Sequence, residues 1–163
     1  MTTETQYGTI DQTVTITLDG LLDNAGREST AVLNTSNKFV EVLISGVLEA
    51  AASVGADSFA DVYAYGQIAS GKYSGSATGT DAAYSTASGQ PGFKNLIKLG
   101  TAFVDQPTTE SFEWGPFSLA DAFGAIPPEW GIVVHWVDSG GSNVALHSSG
   151  NEVNYQGIKF ADV

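Results

Sequence analysis

The chain has 163 residues, no cysteine, two histidines and a formal net charge of −12. That length suits one domain with a real core, and the lack of cysteine excludes disulfides, thiolate nucleophiles and cysteine-held metals. The basic residues Arg27, Lys38, Lys72, Lys94, Lys98 and Lys159 are scattered singly, which argues against nucleic acid and anionic membranes, since both select clustered Lys and Arg.

The segment Met1 to Gln6 has neither a basic stretch nor an apolar run, so no signal peptide is expected. No apolar run approaches the ~20 residues of a spanning helix. A soluble chain made in a cytoplasm is the expectation. Residues 1–12 read as an N-terminal arm. Thr13 to Leu18 is β-branched and alternating, which predicts a strand. Lys38 to Ala50 predicts a longer one, with Val40, Val42 and Ile44 on one face and a bulge or bend at Gly46. A helix is the rival reading there, because Val40, Leu43, Ile44, Val47 and Leu48 also fit a 3.6-residue period. Strand is preferred, since Val and Ile dominate and no cap is present.

Ser58 to Gly66 alternates Phe59, Asp61, Tyr63 and Tyr65 with Ala60, Val62 and Ala64, so the small residues are expected to face a tight interior. The stretch from about 67 to 94 is rich in Gly, Ser, Ala and Thr and reads as a long loop carrying Tyr73 and Tyr84. Asn95 to Val104 and Glu110 to Phe117 predict further strands. Ser118 then caps one short helix, with Asp121 in its first turn, Leu119, Ala122 and Phe123 on its apolar side, and Gly124 closing it. Pro127 and Pro128 force an extended turn into Trp130. Trp130 to Val137 is the strongest strand: Trp130, Ile132, Val134 and Trp136 point one way and Val133, His135 and Val137 the other. Both faces are largely apolar, so it is a central strand covered on both sides, or an interface strand. Asp138 to Gly141 reads as a hairpin turn, and Asn143 to His147 and Val153 to Phe160 complete the strands. The pattern is that of an all-β sandwich or barrel in a single domain spanning 1–163.

No catalytic constellation is legible. No Gly-x-Ser-x-Gly elbow occurs, and the serine context at Ser139 fits a turn better than a triad. His135 alternates with core residues and reads as a satisfied core or interface histidine. His135 and His147 make no zinc spacing. Glu110 and Glu113 flank Trp114 in a way that resembles a sugar subsite, but residues three apart on a strand face opposite ways. Calcium is the metal the loops would suit, through Asp19, Asp23, Asn24 and Glu28, or through Asp138, Ser142 and Asn143. Neither set is an EF-hand, and no cofactor is expected. Tyr73 and Tyr84 stand out as loop aromatics suited to protein or glycan contacts.

A series of blocks follows in order: Tyr7-Gly8-Thr9, Thr15-Ile16-Thr17-Leu18, Gly26-Arg27-Glu28-Ser29-Thr30, Val62-Tyr63-Ala64-Tyr65-Gly66, Gly79-Thr80-Asp81-Ala82-Ala83-Tyr84, Pro116-Phe117-Ser118, Ala122-Phe123-Gly124, Pro128-Glu129-Trp130-Gly131-Ile132-Val133-Val134 and Tyr155-Gln156-Gly157-Ile158. Together, across nearly the whole chain, they resemble a group of small virion-associated proteins of tailed bacteriophages. The weight lies in their order and spacing. Members of the group carry a Thr-Gly-rich turn after the Trp-Gly-Ile-Val-Val strand, where this chain has Trp136-Val137-Asp138-Ser139-Gly140-Gly141.

The resemblance implies a jelly-roll-like β-sandwich assembled into a virion, with no catalytic residues to carry over. The expected role is a capsid decoration (cement) protein bound to the major capsid protein on the outer head surface. The alternative is a tail, fibre or baseplate component binding a host-surface glycan. A homo-oligomer, a trimer, is expected, with Ile132, Val134, Trp136 and His135 at its interface and Tyr73 and Tyr84 as loop contacts.

Overall fold

A computed structural model describes residues 3–51, 54–84, 92–104, 111–140 and 143–162. Twelve strands form two antiparallel sheets. The first sheet runs β1 (Thr3–Tyr7), β12 (Glu152–Asp162), β5 (Glu41–Glu49) and β10 (Ser111–Ser118), with β2 (Gln12–Thr13) also on β12. In the second, β6 (Ser58–Ala69) has β9 (Ile97–Val104) and β7 (Lys72–Tyr73) along one edge and β11 (Glu129–Val137) along the other. β11 in turn pairs with β3 (Gly26–Glu28) and β4 (Val32–Leu33), and β3 pairs with β8 (Ala82–Tyr84).

Set aside the short β2, β4, β7 and β8, and eight strands remain. In chain order they lie first-eighth-third-sixth in one sheet and second-seventh-fourth-fifth in the other. Every turn from β5 to β6, β9 to β10, β10 to β11 and β11 to β12 crosses between sheets. This is the two-Greek-key order of a jelly roll, so the chain is an all-β sandwich with one short helix.

Large and small side chains are matched across the second sheet. Trp130, Ile132, Val134 and Trp136 of β11 lie opposite Gly66, Ala64, Val62 and Ala60 of β6. All four β11 side chains are fully buried. The expected tight interior of β6 is the space that the two indoles fill. The Trp136 indole N–H donates to the Val144 carbonyl at 2.8 Å, and the Trp130 ring meets Tyr155 edge-on at 5.3 Å.

β5 is a strand, and its alternation buries Val42, Ile44, Gly46 and Leu48. The strand passes Gly46 without a bulge; the irregularity lies in its partner β10, between Trp114 and Phe117. Gly46 serves close packing instead. A Cβ there would come within 2.6 Å of the Trp114 indole and collide with the Glu152 carbonyl.

The short helix α1 (Leu119–Phe123) forms as its residues predict. The Ser118 hydroxyl accepts from the Asp121 N–H at 3.0 Å, and Gly124 closes the helix in the left-handed region at φ 76°. Glu41 fastens it to β5, accepting from the Ser118 hydroxyl and the Ala120 N–H.

Three sequence expectations are corrected. Thr13 to Leu18 alternates in burial, with Val14 and Leu18 inside, but only Gln12–Thr13 joins a ladder. Beyond it the bonds scatter: Val14 donates to Val153 and Thr15 accepts from Thr30. Asn143 to His147 makes one bridge, Ala50 to Leu146, and no strand. The turn at Asp138 is no hairpin, because β11 and β12 belong to different sheets.

Replacing Gly46 with Ala is expected to lower unfolding free energy by about 1–3 kcal/mol, the usual cost of overpacking a core. Urea unfolding of the variant and the parent chain measures it.

Candidate interaction surfaces

A sandwich has two outer faces, and this chain treats them differently. On the second sheet, β11 turns Val133 and His135 outward, beside Tyr63 and Tyr65 of β6. Residues 72–84 and 92–96 fold back over them. Tyr65, Tyr84, Leu96, Ala77 and Val133 form a second apolar cluster there, with Tyr73, Tyr63 and Phe93 packed against it. The Phe93 ring stacks on Tyr63 at 4.8 Å and on Tyr84 at 5.5 Å, and lies 4.5 Å from His135.

Polar clamps hold this cover in place. Asp81 accepts from Arg27 Nε at 2.6 Å and from the Thr17 backbone at 3.1 Å. Burial pushes the Asp81 carboxyl up, but Arg27 and Thr17 outweigh it and leave it below the usual carboxylate range. The Glu28 carboxylate, 2 % exposed, takes both the N–H and the hydroxyl of Thr78. The described parts of the long loop, 72–84 and 92–94, thus form a lid over the middle of the second sheet.

The site residues expected from sequence are relocated by this arrangement. Ile132, Val134 and Trp136 are core, at 0 % exposure within one chain, so they cannot form an oligomer interface. His135 points away from them, under Phe93. Burial lowers its pKa despite the nearby Asp61 carboxylate. Tyr84 is buried and donates to the Gly75 carbonyl. Tyr73 sits edge-on to Tyr65 and donates to Glu129. Neither tyrosine is free for an outside partner; both pin the lid.

The first calcium cluster is dispersed. Glu28 binds Thr78, Asp19 binds Asn151, and Asp23 accepts from the Asp138 backbone N–H. In the second, Ser142 lies outside the described residues, and so does Glu110 of the paired-carboxylate reading. Among the described residues no three of His, Cys, Asp and Glu gather as a metal site would.

Asp138 is a buried carboxylate beside Ser58, and its partners are structural. It accepts from Gly55 N–H at 2.9 Å, Gly140 N–H at 3.1 Å, Val144 N–H at 3.0 Å and the Ser58 hydroxyl at 3.1 Å. Burial raises its pKa, but these donors overcome that and bring it to about 2. It ties the end of β11 to the start of β6 and to the segment leading into β12.

The outer face of the first sheet has no such lid among the described residues. It carries a groove of about 590 Å³. Leu43, Val47 and Pro116 give it an apolar floor, and Asn154, Gln156, Asp11, Glu113 and Glu152 supply polar groups. No Lys or Arg lines it. Beside it, Ile10, Tyr7 and Phe160 are exposed at 63 %, 68 % and 60 %. The signal for this surface was faint in the sequence, because its apolar residues come singly from five separate segments.

Asp138→Asn is expected to destabilise the chain by about 2–3 kcal/mol at neutral pH, from a folded pKa nearly two units below the free value at about 1.36 kcal/mol per unit. That contribution is present above about pH 4 and is lost as the pH falls towards 2, because protonation removes the acceptor. Denaturant unfolding of both chains at pH 7 and pH 3 should show the gap narrowing in acid. No protein-family model matches this chain, and no curated protein matches it.

Proposed function

We propose that the chain is a non-enzymatic structural subunit of a tailed-phage virion, a decoration (cement) protein that attaches to the outer surface of the head. The observation that carries this reading is the asymmetry of the two outer faces. Around Val133 and His135 the second sheet is covered by the chain's own lid, with Phe103 and Ile68 exposed towards its edge, while the first leaves a broad apolar and polar face open. Tyr7, Ile10 and Phe160 are exposed on the side of that open face, where they give a subunit an adhesive surface. The jelly-roll order fits, since that architecture is used by capsid proteins as well as lectins. The order of sequence blocks shared with phage virion proteins supports the same reading. A net charge of −12 keeps unbound subunits apart in solution.

On this reading the open face lies on the major capsid protein and the lid faces solvent. A second reading, a tail or fibre module that binds a host glycan, draws on the groove. Asn154, Gln156 and Glu113 beside an apolar floor could hold sugar hydroxyls, whereas Tyr73 and Tyr84 are committed to the lid.

Purified protein mixed with particles assembled without it should co-sediment with them. Val47→Glu with Phe160→Glu on the open face should abolish co-sedimentation, while Lys94→Glu on the lid should leave it intact. Failure of the native chain to pellet, together with saturable binding on a glycan array, would favour the second reading and overturn the first.

A further inference from the structure

We propose that two copies of this chain join edge to edge through β1, antiparallel, about a twofold axis at Thr5. β1 is the outermost strand of the first sheet, and all five of its residues are exposed. Its far edge meets no strand among the described residues. β5 pairs with β12 only as far as Ile158, so beyond that point β1 and β12 continue as a two-stranded ribbon. Such ribbons are marginal alone, and an open edge invites a further strand.

The hydrogen-bond pattern decides which groups the edge offers. Gly8 N–H donates to the Gly157 carbonyl at 2.7 Å, which makes that facing pair a bonded one. Bonded and non-bonded pairs alternate along an antiparallel ladder. Glu4 and Gln6 therefore bond to β12, and the backbone groups of Thr3, Thr5 and Tyr7 point outward.

Only some registers let a second β1 use those groups. Odd residues must face odd residues, or N–H and C=O do not meet. A centre at Glu4 would place two carboxylates directly opposite, which is unfavourable. A centre at Gln6 shortens the overlap. A centre at Thr5 matches all five residues: Thr5 with Thr5, Glu4 with Gln6, and Thr3 with Tyr7.

The side chains suit the same register. Phe160 lies opposite Thr5, and Lys159 opposite Gln6. Across the joined ribbons, Lys159 of one copy shares a row with Glu4 of the other, bridged by Gln6. The exposed Phe160 rings and the paired Thr5 side chains fall on the opposite face in one continuous strip. A surface complementary to itself under a twofold in charge, face and hydrogen bonding is an isologous contact, so a second copy is the occupant. On a chain of net charge −12, this register puts a lysine of each copy in the same row as a carboxylate of the other. The contact is twofold, in place of the threefold assembly expected from the sequence.

The test uses this chain alone, so its outcome is independent of capsid binding. Sedimentation velocity should show a species of twice the 16.9 kDa chain mass. Thr5→Pro removes an outward N–H and leaves the bonds to β12 in place; it should weaken dimerisation at least tenfold without changing the thermal midpoint of the monomer. The native chain has no cysteine, so Thr5→Cys should form a disulfide-linked dimer on mild oxidation, since facing Cα atoms in a bonded pair lie about 5.5 Å apart. Thr3→Cys, displaced from its own copy in this register, should not. A native chain that stays monomeric into the high-micromolar range overturns the proposal. So does a dimer indifferent to Thr5→Pro, or one cross-linked as readily through Thr3→Cys.

Discussion

A strand apolar on both faces must be covered twice, and β11 imposes that demand on the whole chain. Its inner face carries Trp130, Ile132, Val134 and Trp136, all fully buried. Two indoles on one side need small neighbours, which β6 supplies with Gly66 and Ala60. They also need a roof, which the first sheet supplies. The outer face carries Val133 and His135. Nothing in a two-layer sandwich covers that side, so the chain uses residues 72–84 and 92–96 as a third layer. Buried aromatic area is the main return on this arrangement, because large rings dominate burial energetics.

The lid illustrates how polar groups follow an apolar requirement. Phe93, Tyr84 and Leu96 bring burial, but a Gly- and Ser-rich segment has little packing of its own to hold its path. Charged and hydroxyl groups set that path instead: Asp81 on Arg27, Thr78 on Glu28, and Tyr73 on Glu129. The same logic operates at Asp138, where one buried carboxylate gathers the backbone N–H groups of Gly55, Gly140 and Val144. Charge-assisted bonds to otherwise unpaired donors are worth more than neutral ones, which is why a charge persists at 5 % exposure.

With the middle of the second sheet covered from outside, the first offers the broader open face. Its groove and its exposed Tyr7, Ile10 and Phe160 belong to one surface, and β1 carries that surface to the edge of the molecule. Face and edge offer different chemistry. The face presents side chains to a broad partner, whereas the edge presents backbone groups to another strand.

Much of this was legible from residues alone. Period-two alternation identified β6 and β11, and with its Val and Ile content β5, because a half-buried strand must alternate whatever it packs against. The helix from Leu119 to Phe123 was legible down to its caps, since capping is a local contest for a few N–H groups. The two-sided burial of β11 was legible too. Its meaning was not: the same apolar strand serves an intermolecular interface or a core equally well in sequence. Only the tertiary structure showed that Ile132, Val134 and Trp136 are core, that Tyr73 and Tyr84 turn inward, and that Gly46 makes room for Trp114 rather than a bend. Each of these depends on what lies opposite, and residues such as Trp114 and Gly46 are brought together across dozens of positions. Local pattern determines which way a side chain can point; long-range pairing decides what it meets.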